Sequence, residues 1–168
     1  GKLNLGDQII FRSASRYLEQ LFPVAQFLNL PTHLELGPHG IKLANTCQVR
    51  IVTGTNVLRS NMYSNKQWRL TLRQAYQLNR VILMGVGWGD YQRKAGVYSR
   101  QLLSRLLDKK FLHSVRDEYT LKKLNQIGIN NVINTGCPTM WPLTEKHCAD
   151  IPKQKGDEVV FTLTAYRK

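Results

Sequence analysis

Apolar residues along this chain fall into short runs separated by stretches of helical spacing, and the two alternate regularly. Runs at 24–30, 47–52, 80–86, 110–115, 131–135 and 158–164 read as strands, several too uniformly apolar to have a wet face. Asp7 is placed to cap a helix whose stripe is Ile10, Ala14, Tyr17 and Leu21, and Pro23 halts it. A second helix, 66–79, turns Trp68, Leu72, Ala75 and Tyr76 to one side. A third, 97–108, buries Leu102, Leu103, Leu106 and Leu107. The fourth starts near Ser114, where Ser-x-x-Asp has the form of a capping box, and presents Leu121, Leu124 and Ile127. Gly128 closes it as a residue just past a helix end would.

Strands alternating with helices predict an α/β domain, a doubly wound, mostly parallel Rossmann-like sheet covered on both faces. Ligands of such sheets bind beyond the carboxyl ends of the strands. The segments 54–56, 85–90, 114–117 and 136–139 are predicted to lie there, joined by the turn at 4–7 if a strand precedes it. Residues 1–150 are expected to form this domain without its first strand, since 4–7 looks like a strand exit. Residues 151–168 read as a polar link followed by the first strand of a second domain.

Composition narrows the class. A chain of 168 residues with 42% hydrophobic content can build one domain with a substantial core. Its most apolar run, 81–88, is far short of the ~20 residues that span a bilayer. No basic-then-apolar leader opens the chain, and the initial Gly1 reads as a cut rather than a natural start. Cys47, Cys137 and Cys148 fit no disulfide scaffold, which points to a reducing cytosol. Cys137 and Cys148 with the adjacent His147 match no usual zinc spacing, so no metal is expected, and the cysteines are read as small apolar residues.

Charge changes the picture more. The net charge is +13, and between Lys42 and Lys110 thirteen basic residues face only Asp90 and Asp108. Such a field attracts phosphorylated small molecules, nucleic acid or acidic lipid headgroups; a solvated basic face without a partner is the plainer reading. No RNP, KH or helix-turn-helix signature supports nucleic acid.

Candidate chemistry sits in the strand-end segments. Gly85-Val86-Gly87-Trp88-Gly89 is G-x-G-x-G, not the dinucleotide fingerprint, and its glycines suggest close approach of the backbone to a ligand. Trp88 could stack on a sugar or pack over the sheet. Gly54-Thr55-Asn56 offers amides, a hydroxyl and a carboxamide suited to hydroxyls or phosphate oxygens, or forms an ordinary turn. Asn4 and Asp7 have the same double reading. His113 is read as structural and His33 and His39 as exposed, so no catalytic histidine pair is visible. Arg116 stands at a helix mouth that favours acids. A bound anion would use both, while Asp117 and Glu118 could neutralise that end unaided.

The segment Ser114, Arg116, Asp117 and Thr120, then Leu124, Gly128, Ile129, Asn131 and Val132, then Pro138 and Thr139, resembles the polysaccharide pyruvyl transferases. So do Asn4-Leu5-Gly6-Asp7, Gly54-Thr55-Asn56 and the 85–89 segment, in the same order, over nearly the whole chain. The resemblance implies half of a GT-B-like two-domain enzyme, without a cofactor, that moves pyruvate from phosphoenolpyruvate onto a sugar diol as a cyclic ketal. It implies Arg116 and Ser114 on the donor, with Asn4, Asp7, Thr55, Asn56 and Trp88 as acceptor candidates. It further implies a saccharide acceptor, lipid-linked or free, and a cytoplasmic site of work that extends to the inner membrane face. The family's general-acid histidine lies in an Arg-Leu-His motif of the second domain. No such motif occurs here, so no catalytic residue is assigned and no turnover is expected from these residues alone. A GT-B-like glycosyltransferase or other sugar-nucleotide enzyme is the alternative, because architecture does not fix chemistry.

Overall fold

The structure, a computed structural model, describes residues 5–64, 67–89, 94–154 and 156–158. Its order is α1 (Leu5–Leu21), α2 (Pro38–Thr46), β1 (Ile51–Leu58), α3 (Leu72–Gln77), β2 (Ile82–Trp88), α4 (Val97–Leu106), β3 (His113–Val115), α5 (Glu118–Gln126) and β4 (Val132–Asn134). A 3-10 turn, Pro138–Met140, and α6 (Glu145–Ala149) follow. The strands form one all-parallel sheet in the order β1-β2-β3-β4. The α/β class and parallel sheet are as expected, but the described strands run in sequence, without the reversal of order that makes a sheet doubly wound. The expected strand at 158–164 falls almost wholly outside the described residues. No helix among the described residues is long and apolar enough to cross a membrane.

The core lies between the sheet and α3, α4 and α5. Leu102, Leu103 and Leu106 of α4 are fully buried, as their spacing required, each stabilising the fold by roughly 2 kcal/mol. They meet Leu83 and Val86 of β2, Val115 of β3 and Leu124 of α5 in one cluster. α5 ends in a double backbone cap. Ile129 N–H donates to Leu124 C=O (3.0 Å) and Gly128 N–H to Asn125 C=O (3.0 Å), with Gly128 at φ +85°.

Several expected boundaries move. Residues 24–30 form no strand; Val24 is 97% exposed, and the run crosses the surface with no neighbour to pair with. Strand pairing starts at Ile51 rather than 47 and carries through 54–56, so that segment lies inside β1. Residues 85–88 likewise belong to β2. α3 is shorter than 66–79 because its start is fixed by a capping box between Thr71 and Gln74, which leaves the buried Trp68 outside it. Asp7 is in the first turn of α1, not its cap. Ser114 belongs to β3, and Asp117, extended at φ −154°, is the true cap of α5. The cysteines are free, but Cys148 is exposed and the other two only half-buried.

Arginines hold the edge of the sheet where strands begin. Arg50 donates to Ala44 and Cys47 carbonyls at the end of α2. Arg80 donates to Ser104 C=O (3.3 Å) and Leu107 C=O (2.7 Å) at the end of α4. Arg105 donates to Tyr76 C=O (3.1 Å) in the last turn of α3. Each satisfies carbonyls that a helix end leaves unpaired and places positive charge at the negative end of its dipole. Part of the central basic excess is therefore structural.

His113, fully buried at the start of β3, is structural as expected. Its Nδ1 accepts from Leu83 N–H (3.1 Å) and its Nε2–H donates to Asp108 C=O (2.8 Å), which fixes a neutral ring. Burial lowers its pKa below the ordinary 6.5, outweighing the backbone bond and the nearby Asp108 charge that favour protonation. Burial alone would raise Asp108, but the amides of Lys110 and Phe111, with His113 and Arg80, bring it below 3.8.

The unfolded chain therefore takes up a proton at His113 before the folded chain does. Unfolding free energy from urea titrations is expected to be flat above about pH 7 and to fall as pH drops through 6.5 toward the folded pKa. His113→Leu should cost about 2–4 kcal/mol, through the stranded Leu83 N–H and Asp108 C=O, and should flatten that slope. An unchanged slope would place the titration elsewhere.

Candidate functional site

Two glycines let other parts of the chain lie directly on the sheet. At Gly54 a Cβ would overlap Ile10 of α1 and stand 3.5 Å from the Pro138 ring. At Gly85, with φ +64°, it would stand 2.5 Å from that ring. Pro138 is thus seated on β1 and β2, and Ser13 of α1 donates to its carbonyl (2.7 Å). Trp141 Nε1–H bonds Thr135 C=O (2.8 Å) and its ring meets Tyr17 edge-on at 5.1 Å. The glycines expected to admit a ligand here admit the chain's own side chains.

One step along β2, Gly87 is different. A Cβ there would overlap the Asn56 amide oxygen and stand 2.5 Å from Arg116 Nε. The carboxamide of β1 and the guanidinium beyond β3 therefore converge over one bare strand position. Asn56 is aimed there by an irregularity: pairing shifts register between Thr55 and Leu58, and Thr55 sits at φ +105°. A β-branched residue in that region stores on the order of 1–3 kcal/mol of strain, and a bulge of this kind re-aims side chains. Asn56 Oδ1 is buried and accepts no hydrogen bond from a described residue. A buried acceptor without a donor costs about 1–3 kcal/mol, which a ligand hydroxyl or amide could recover.

Arg116 is held from both sides. Its N–H donates to Val86 C=O (3.1 Å), which extends the sheet contact by one residue. Beyond it, Asp117 Oδ1 accepts from Thr120 N–H and Oγ1–H (both 2.7 Å), and Thr120 Oγ1 accepts from Trp88 N–H (2.8 Å). At this helix mouth Asp117 caps α5 and also faces the arginine. The guanidinium, 26% exposed, lies 3.7 Å from Asp117 Oδ2 through Nε and makes no hydrogen bond to a described residue. That contact is long and half-wet, so it fixes the side chain weakly and leaves its donors for an anion.

The remaining expected site residues are scattered. Ser114 lies beneath Arg116 in β3, but its hydroxyl accepts from Gly85 N–H (3.0 Å) and shares a hydrogen with Thr135 Oγ1 (2.5 Å). Trp88 packs in the core at 4% exposure and offers no face to a sugar; its buried Nε1 has no partner among the described residues. Asp7 is half-buried on α1, one turn before the Ile10 that meets Gly54. Asn4 lies outside the described residues. His33 and His39 are exposed, as expected. A cavity of about 470 Å³ opens beyond the end of β1, lined by Ser60, Lys94, Tyr98 and the start of α4. Arg116 and Asn56 do not line it. Sequence reading missed this cavity, which no local signal marks.

Substitutions separate the two kinds of glycine. Gly85→Ala is expected to lower stability by about 2–4 kcal/mol, combining a left-handed backbone with collision against a fixed proline ring. Gly87→Ala should cost about 1 kcal/mol or less, because the ends of two side chains can yield, while displacing Arg116. Thermal unfolding of the pair checks the ranking; the reverse order would refute the packing described.

Comparison with known proteins adds the following. A family model described as polysaccharide pyruvyl transferase matches residues 4–167. No curated protein and no solved structure matches the chain.

Proposed function

Because the chain belongs to the polysaccharide pyruvyl transferase family, we propose that it carries the donor site of an enzyme moving pyruvate from phosphoenolpyruvate onto a saccharide diol. The observation that supports this most is the convergence of Arg116 and the unpaired Asn56 oxygen over Gly87 at the carboxyl edge of the sheet. A guanidinium with free donors suits a phosphate or carboxylate, and a buried amide oxygen suits a hydroxyl.

The reaction asks for three things. The donor's anionic groups must be held, which falls to Arg116. Its methylene carbon must be protonated by a general acid, making the adjacent carbon oxocarbenium-like. One acceptor hydroxyl then attacks that carbon, the carbon–oxygen bond to phosphate breaks, and the second hydroxyl closes the ketal. The acid's proton stays on the new methyl group. Of the two protons the hydroxyls lose, one leaves with phosphate and one restores the acid.

In this reading Asn56 and Thr55 meet an acceptor hydroxyl, and Asp7 serves the acceptor side from α1. Ser114 acts beneath the donor by setting β3 against β2. Trp88 is left to the core. The acceptor is a saccharide, free or lipid-linked, and the enzyme is of GT-B-like two-domain build, working in the cytoplasm up to the membrane face. No histidine of the described residues is placed as the acid, since His113 is buried and doubly hydrogen-bonded.

Phosphoenolpyruvate is expected to raise the melting temperature of the chain, by about 2.7 kcal/mol of added stability at a hundredfold excess over its Kd. Arg116→Ala should weaken that binding by about ten- to a hundredfold. Stabilisation by nucleotide sugars in preference to phosphoenolpyruvate would overturn the reading in favour of a glycosyltransferase. Separately, the 168 residues alone are expected to form no ketal; product detected by mass spectrometry would place a general acid within them.

A further inference from the structure

The edge of the sheet opposite Arg116 carries a second feature that the transfer reaction does not use. Between α4 and β3 the chain turns through Asp108–Leu112, where Phe111 and Leu112 are 58% and 55% exposed beside the exposed Lys109 and Lys110. Exposed apolar neighbours are ordinary on a loose loop, but this loop is tied down. The Asp108 carboxylate accepts from Lys110 N–H (2.7 Å) and Phe111 N–H (3.1 Å). Asn131 Nδ2 donates to Phe111 C=O (2.6 Å) and Asp108 C=O (3.1 Å), and His113 Nε2–H donates to that same Asp108 carbonyl. The backbone that carries the two apolar side chains is therefore pinned, with both side chains exposed.

Their surroundings are cationic. Arg80 is anchored to Leu107 C=O at the root of the turn. Tyr76, 63% exposed, lies under the Arg105 guanidinium at 5.3 Å. Asp108 supplies the one carboxylate of the turn, and its two backbone bonds occupy it.

We propose that this turn docks the protein onto an anionic lipid bilayer, Phe111 and Leu112 entering the acyl boundary while Lys109 and Lys110 meet acidic headgroups. Charge complementarity selects this occupant: a rigid apolar tip ringed by lysine and arginine matches the depth profile of an anionic interface, where apolar groups lie beneath charge. A basic groove for nucleic acid would instead interleave aromatic rings with the cations along a strand path. Docked this way, Arg116 and Asn56 face away from the bilayer. The inference does not depend on the pyruvyl reading.

Co-sedimentation of the intact chain with vesicles tests it. Vesicles of phosphatidylcholine containing phosphatidylglycerol should bind the chain, and phosphatidylcholine alone should not. Phe111→Ser with Leu112→Ser leaves the charge unchanged and should reduce partitioning about tenfold, with urea unfolding unaltered because both side chains are exposed. Lys109→Glu with Lys110→Glu should abolish binding. Equal binding by the serine variant would reduce the effect to generic charge and overturn the proposal, as would no binding to anionic vesicles. A lipid-free dimer, seen in sedimentation and lost in the serine variant, would show that a second copy covers the tip. Thermal stabilisation by phosphoenolpyruvate should be unchanged in both variants, so this surface and the donor site fail or stand separately.

Discussion

Every strand of the described sheet points the same way, and that polarity sorts the chemistry. In a parallel sheet each connecting helix must begin near the edge where strands end and finish near the edge where they begin. Bare carbonyls therefore accumulate on one side and bare N–H groups on the other. The chain answers the first with Arg50, Arg80 and Arg105, each bonded to a helix's last carbonyls. It answers the second with the Thr71–Gln74 capping box of α3 and with Asp117 on α5, while α4 starts at Gly96 with no side-chain cap. Arg116 stands on that edge, where a guanidinium and nearby helix starts would both favour an anion.

Strong periodicity carried most of the fold. The leucine stripe of α4, the apolar run of β2 and the glycine stop of α5 could all be read from spacing, because each depends on local pattern alone. Failures came where the deciding partner was distant. The run at 24–30 is as apolar as a true strand but finds no neighbour to pair with. Helix α2 was missed although Gly37-Pro38 and the Ile41/Ala44 spacing mark a proline-initiated helix. At Ser114 two capping residues competed. Ser114 was drawn into β3 by Gly85 N–H, which left the role to Asp117.

The candidate site was legible in part for the same reason. Arg116 and Asn56 stood out by residue type and position, and the structure brings them together. What sequence could not supply was the identity of whatever approaches each glycine. Gly54 and Gly85 receive Ile10 and Pro138, so two apparent ligand loops are largely packing devices, and Trp88 joins the core. Pro138 and Thr120 of the resembling segment brace the strands and the start of α5.

The sequential strand order has a consequence for how the molecule comes into being. Each new strand lies beside the one synthesised just before it, so no strand must wait for a distant stretch of chain to emerge. Each pairing waits only for the one helical crossover that precedes it, the least delay a parallel sheet allows. On a translating ribosome the sheet can grow outward one strand at a time, each addition shielding the previous margin.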